Sequence, residues 1–245
     1  VDDDNAPTTD NRLFGVESIL DVMVGMCGTG VDDVYLQVHY RSQHDALIRY
    51  SNHYFYDDRL LTFPSAFGTR PGLGIHSAYL HDGRFEAGGS RTNRVEAEQV
   101  VRMVFDLMQM QPPTESIGVV ALSRAQADLI QELIDLRRLS DRRFDERFAE
   151  EAHERFFVKN LENVQGDERD HVILSIGYGP TTATGVVPNR FGPVNVEGGH
   201  RRLNVAVSRA RRSMTVVHSL RPEDIHSEVQ GAKLLRRYLE FLRGG

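Results

Sequence analysis

One cysteine and two lysines in 245 residues are the first scarcities of this chain. The lone thiol, Cys27, permits no internal disulfide framework and no cysteine-based zinc cluster, and it reads as a small buried apolar residue. That usage fits a reducing, cytoplasmic setting. No apolar run approaches the ~20 residues a membrane helix needs, so no membrane partner is expected. The opening Val1-Asp2-Asp3-Asp4 is acidic where a secretory leader is basic, and no apolar segment follows it. No Gly-x-x-x-x-Gly-Lys-Ser/Thr phosphate loop occurs, nor any strand ending in paired Asp-Glu that would hold Mg²⁺. The glycines of Gly25-Met26-Cys27-Gly28-Thr29-Gly30 lack that lysine and read as a helix terminus. Neither Lys159 nor Lys233 has the acidic partners of an Asp…Glu-x-Lys cluster, which disfavours nuclease chemistry.

What is present suits one folded core, since 40% of residues are hydrophobic. The formal charge is −6, yet the positive charge is almost all arginine, whose planar fork matches phosphate. Arg201, Arg202, Arg209, Arg211 and Arg212 cluster, and a local basic face on an acidic domain can still hold phosphates. Composition therefore permits nucleic-acid binding without establishing it.

Residues 1–15 are polar and Asp-rich and are expected to be a flexible acidic lead-in, with the domain running from 16 to 245. A short helix is expected over Val16 to Met26, a strand at Tyr35–Val38, a helix from about Asp45 to Tyr54, and a strand at Ile75–Leu80. Apolar residues at 97, 100, 101, 104, 107 and 108 predict a helix over Ala97–Met108, stopped by Pro112 and Pro113. Ile117–Leu122 has no polar alternation and reads as a strand buried on both faces. A helix follows from Arg124 to Leu136, and Asp141–Glu154 reads as a solvated helix. Strands are expected at Phe156–Lys159, Val172–Ile176 and Met214–His218. Helices are expected at Arg201–Arg211 and Gly231–Arg243. Alternating apolar strands and helices predict an α/β fold, a mainly parallel sheet covered on both faces. Ligands of such sheets gather at the carboxyl ends of the strands.

Four polar segments stand at the junctions of these elements. In His39-Tyr40-Arg41-Ser42, Arg41 suits a phosphate and Tyr40 a base, or Arg41 caps a helix and pairs with Asp45. In Ala121-Leu122-Ser123-Arg124, exposed amides at a helix start can hold a phosphate backbone, or Ser123 is an ordinary N-cap. Val158 to Asp170 packs a dense polar loop between buried strands, with a tight turn at Gln165-Gly166 and carboxylates at Glu168 and Asp170 suited to ribose hydroxyls. In His200 to Arg212, Leu203, Ala206, Val207 and Ala210 have helical spacing, which places Arg202 and Arg209 two turns apart on one helix edge. Positive charge opposing the helix dipole there asks for an anion.

In this order the four segments resemble the second motor domain of superfamily 1 helicases, especially the subgroup of the nonsense-mediated-decay RNA helicase and large bacterial helicase-like proteins. HYRSQHDALIRYSNHYFYDDRL resembles motif IV, IGVVALSRAQADLIQ the following strand-loop-helix, VKNLENVQGDERDHVILS motif V, and RRLNVAVSRARRSMTVV motif VI. The resemblance spans about Val16 to Leu220 and implies a RecA-like three-layer fold. It implies that Arg41 and Arg209 are arginine fingers on a γ-phosphate, each worth roughly 10³–10⁵ in rate. Tyr40, Gln165, Gly166, Glu168 and Arg202 would bind nucleotide, with Glu168 on the ribose. Ser123, Arg124 and Asn160 would face single-stranded DNA or RNA. Ala121-Leu122-Ser123 departs from the Thr-Pro-Tyr common in the family. The resemblance further implies ATP with Mg²⁺, the metal ligands and phosphate loop lying on a first RecA-like domain of a longer parent chain. ATP-driven closure of the cleft between the domains would then ratchet a strand. Two other readings are an ATP-gated switch or scaffold and a phosphate-binding regulatory domain without catalysis.

Overall fold

The computed structural model describes residues 22–23, 25–26, 37–62, 72–149 and 154–244. The expected lead-in, its boundary at residue 16 and Cys27 lie outside the described residues. Of the helix expected over Val16–Met26, residues 22, 23, 25 and 26 are described and are helical.

A short parallel pair, β1 (Val38–His39) and β2 (Leu61–Thr62), is linked through helix α1 (Ala46–Phe55). Then follow β3 (Gly74–Tyr79), α2 (Arg94–Met110), β4 (Ile117–Ala121), α3 (Arg124–Ser140), α4 (Asp145–Phe148) and β5 (Phe157–Asn160). The chain closes with β6 (Arg169–Ser175), α5 (Gly199–Val207), β7 (Ala210–His218) and α6 (Gln230–Gly244). Five strands form one wholly parallel sheet in the order β3-β7-β6-β4-β5.

Strand alternation divides the apolar side chains between two cores. Val120, Val172, Leu174, Met214 and Val216 face α1, α5 and α6, through residues such as Leu47, Leu203 and Leu235. Val119, Ile173 and Val217 face α2 and α3, through Val100, Val104, Ile130 and Ile134. The result is the expected three-layer, RecA-like α/β fold. Every residue of β4 is buried, as its unbroken apolar run requires of a strand covered on both sides. On α2 the buried stripe runs through Ala97, Val100, Val101, Val104 and Met108, with Phe105 replacing Leu107 in the fully buried set.

A buried polar cluster fastens α2 and α3 to the carboxyl ends of the strands. Asn93 caps α2 and its N–H donates to Gln126 Oε1 at 2.8 Å, while Gln126 Nε2 returns a bond to Asn93 O at 3.0 Å. Glu96, fully buried, accepts from Gly177 N–H at 2.7 Å and from Ser175 Oγ at 3.2 Å. Burial pushes its carboxyl up to about 7 despite those bonds.

Two expectations are corrected. Asp141–Glu154 is no solvated helix: within the described residues it forms a 3-10 turn at Arg142–Phe144 and the short α4, which buries Phe148. The helix expected to reach Arg211 ends at Val207, and β7 begins at Ala210. Arg202 and Arg209 therefore do not share a helix edge. Ala210 kept the helical spacing of Leu203, Ala206 and Val207, but backbone pairing with Arg169 draws it into the sheet. No helix among the described residues is long and apolar enough to cross a membrane.

Candidate functional site

Glu168 immediately precedes β6 and Arg209 immediately precedes β7, and these strands pair from Arg169↔Ala210 onward. Both residues thus lie at the amino edge of the sheet, opposite the edge where such folds were expected to gather ligands. Arg209 sits in the two-residue turn between α5 and β7. Its Nε donates to Val205 O at 2.7 Å, its Nη2 to Ser208 Oγ at 3.2 Å and its Nη1 to Asp167 O at 3.4 Å. Burial lowers its pKa, and the Arg41 guanidinium lowers it further. Such coupling places Arg41 and Arg209 in one electrostatic neighbourhood.

Arg41 reaches that neighbourhood from the turn after β1. His39 Nε2 and Ser42 Oγ, 2.8 Å apart, close this turn, and Gln43 N–H donates to Arg211 O at 2.7 Å, pinning it to the start of β7. Arg41 Nε forms an ion pair with Glu168. The alternative pairing with Asp45 is taken by Arg49 at 2.5 Å. Tyr40, beside Arg41, is 86% exposed, with its ring open to solvent. Gln165 and Gly166 form the exposed turn leading to Glu168, and Gly166 has φ +90°. Arg202 stands half-buried in the first turn of α5, and among the described residues no hydrogen bond or ion pair joins it to Arg41, Glu168 or Arg209.

Behind Glu168 lies a dense ionic cluster. Arg211 pairs with Glu154, meets Asp170 with its Nε–H at 3.1 Å, and places Nη1 3.6 Å from Glu168 Oε1. Its hydrogen bond to Glu154 raises the Arg211 pKa and lowers that of Glu154. Burial alone would raise Asp170, but hydrogen bonds from Ser116 and Arg211 hold it below the usual range. Further along the same strands, buried His171 bridges Ser213 Oγ and Glu115, each at 2.7 Å, as a satisfied internal strut.

The remaining candidates lie at the opposite, carboxyl edge. Ser123 Oγ accepts from Gln126 N–H at 3.2 Å, so the N-cap reading holds for its side chain. Arg124 is exposed, with Asp128 3.6 Å away. Asn160 is buried, and its Oδ1 accepts from Glu162 and Asn163 N–H at 3.0 and 3.1 Å, closing the turn after β5. The fold thus gathers Arg41, Glu168 and Arg209 at one edge and separates Ser123, Arg124 and Asn160 to the other.

A family model described as AAA domain matches residues 18–221. Over 212 residues, 84% of this chain, the sequence is 36% identical to MG140 of Mycoplasma genitalium, named an uncharacterized ATP-dependent helicase. The chain belongs to the AAA domain family, as a superfamily 1 helicase-like domain. The MG140 homolog of Mycoplasma pneumoniae is 34% identical over 211 residues, 84% of this chain. The DNA-binding protein SMUBP-2 of Mesocricetus auratus is 27% identical over 227 residues, 86% of this chain. The helicase-like domain spans 18% of the length of each mycoplasma relative and 20% of SMUBP-2.

Within the helicase-like domain, sequence reasoning had not singled out Arg211 or Tyr56. Tyr56 Oη accepts a hydrogen bond from Asn204 Nδ2 at 3.2 Å, tying the end of α1 to α5. Arg211 was legible only as one of a run of arginines. Reading β7 from residue 210 would have exposed it, because strand alternation then separates Arg211 from Arg212 on opposite faces.

Proposed function

We propose that this domain is the second RecA-like half of an ATP-dependent motor on single-stranded DNA or RNA, with Arg41 and Arg209 as its arginine fingers. The observation that carries this reading is their approach to Asp167-Glu168 at one sheet edge, Arg41 by its ion pair with Glu168 and Arg209 by its bond to Asp167 O, from loops far apart in the chain. The donor set suits a nucleoside triphosphate: two guanidinium forks for phosphate oxygens, the Glu168 carboxylate for a ribose diol, and the Tyr40 ring for a base. It does not suit Mg²⁺. Glu154, Glu168 and Asp170 are all paired with arginines, so none stands open as a Mg²⁺ ligand. The magnesium ligands and phosphate loop are therefore assigned to a first RecA-like domain of the complete protein, the partner across the cleft.

Bound ATP would supply the phosphoanhydride whose hydrolysis drives the cycle. Arg209, anchored by Val205 O, holds positive charge in a fixed place, so little reorganisation is needed as charge develops on a phosphate. Arg41 enters from a separate turn fastened to β7, so both guanidiniums are held by this domain, and closure of the cleft would bring a phosphate to them. Glu168, paired with Arg41, offsets part of the repulsion between the two guanidiniums. At the carboxyl edge, Arg124 is the candidate best exposed for a nucleic-acid phosphate.

In the complete protein, Arg209→Ala is expected to lower ATP turnover by about 10³-fold or more while leaving the thermal midpoint nearly unchanged. Unimpaired hydrolysis would remove Arg209 from this role. The chain alone should turn over negligible ATP with Mg²⁺, and directional strand displacement by the complete protein separates a motor from an ATP-gated switch.

A further inference from the structure

Arg211 meets Glu168 directly and bonds to the turn that carries Arg41. Its backbone carbonyl accepts Gln43 N–H at 2.7 Å, fastening the turn that carries Arg41. Its Nη1 lies 3.6 Å from Glu168 Oε1, while the other oxygen of that carboxylate meets Arg41 Nε. The guanidinium is itself held from behind: Nη1 donates to Glu154 Oε1 at 2.8 Å, Nε to Asp170 Oδ1 at 3.1 Å and Nη2 to Ser116 Oγ at 3.1 Å. Ser116 in turn donates its N–H to Asp170 Oδ2 at 2.9 Å. Three carboxylates (Glu154, Glu168, Asp170) thus meet two guanidiniums (Arg41, Arg211), with Arg209 bonded to Asp167 O beside them. An incoming polyphosphate would compete for Arg41 and Arg209, leaving Arg211 as the cation that still holds Glu168 in place.

We infer that Arg211 is a positioning residue, which sets the Arg41–Glu168 pair through its side-chain fork and its backbone carbonyl. The inference rests on the proposed action of Arg41 on phosphate. A lysine keeps the charge but lacks the fork that reaches Glu154, Asp170 and Glu168 together. In this chain, Arg211→Lys is expected to shift the Arg41 Nε–Hε resonance and speed its exchange with solvent. A resonance that stays put overturns the inference.

In the complete protein the same variant should lower kcat by about 10²-fold while KM for ATP barely changes, as befits a displaced catalytic group. Wild-type kcat overturns the inference. Arg209→Ala, run in parallel, tells the two failures apart. Normal turnover in both variants sinks the arginine-finger reading, whereas loss in Arg209→Ala alone sinks only the role of Arg211. Should Arg211→Lys fail to fold, Glu154→Gln removes one counter-charge behind the fork. It should lower kcat in the same sense by less, and unchanged kcat there is equally decisive against the proposal.

Discussion

At Gly166 the backbone takes φ +90° just before the carboxylate that meets Arg41, and a Cβ there would touch nothing within 4 Å. The glycine is therefore required by conformation and not by space. Gly166→Ala is expected to cost about 1–2 kcal/mol, the usual penalty of a left-handed L-residue. Urea unfolding measures it, and an unchanged midpoint would mean that the turn relaxes to another shape without strain. The same scale explains which site residues were readable. Arg41, Glu168 and Arg209 stand in motifs whose order names them. Ser123 could be read as a cap or as a phosphate contact, and the structure shows its side chain capping α3. Arg211 was hidden, since its importance lies in contacts with Glu154 and Gln43, which no local spacing reveals.

The elements differ in how firmly their ends are held. Asn93 caps α2 through Oδ1 and also donates through Nδ2 to Glu96 and Ser219, at 3.1 and 3.0 Å, inside the protein. Ser123 caps α3 at a less buried position. Losing a cap alone costs about 1 kcal/mol, and leaving buried partners unsatisfied adds about 1–3 kcal/mol. Asn93→Ala should accordingly destabilise by about 2–4 kcal/mol and Ser123→Ala by about 1 kcal/mol. Denaturant titration of both variants checks the order, and equal losses would show that the Asn93 network contributes no more than a cap. The long amphipathic helices α2, α3 and α6 were readable from their stripes. The junction of α5 and β7 was not, because Ala210 satisfies a helical and a strand pattern alike.

Across the whole molecule, stability should carry the signature of a buried acid. Glu96 has a folded pKa of about 7 against an ordinary value of 4.5, so the folded state binds its proton more tightly. That contribution is fully present below about 4.5 and is lost as pH rises through about 7, to the extent of about 3 kcal/mol. Asp170 and Glu154 act in the opposite sense: their lowered values give stability above the ordinary carboxylate range that is lost as pH falls. Unfolding free energies at pH 5 and pH 8 should diverge between the wild type and Glu96→Gln, which lacks the titrating group. Parallel pH dependence in the two proteins would show that Glu96 does not titrate in this range.

By itself the sequence determined the layered α/β class and the long helices, because those depend on periodicities of a few residues. Its ordered motifs also carried the helicase resemblance. Only the tertiary structure decided where the candidate site residues lie. The parallel order β3-β7-β6-β4-β5 puts the residues before β6 and β7 side by side at the amino edge, while Ser123, just after β4, and Asn160, the last residue of β5, lie at the other. Strand order is set by packing and hydrogen bonding between segments distant in the chain, and local pattern carries no record of it.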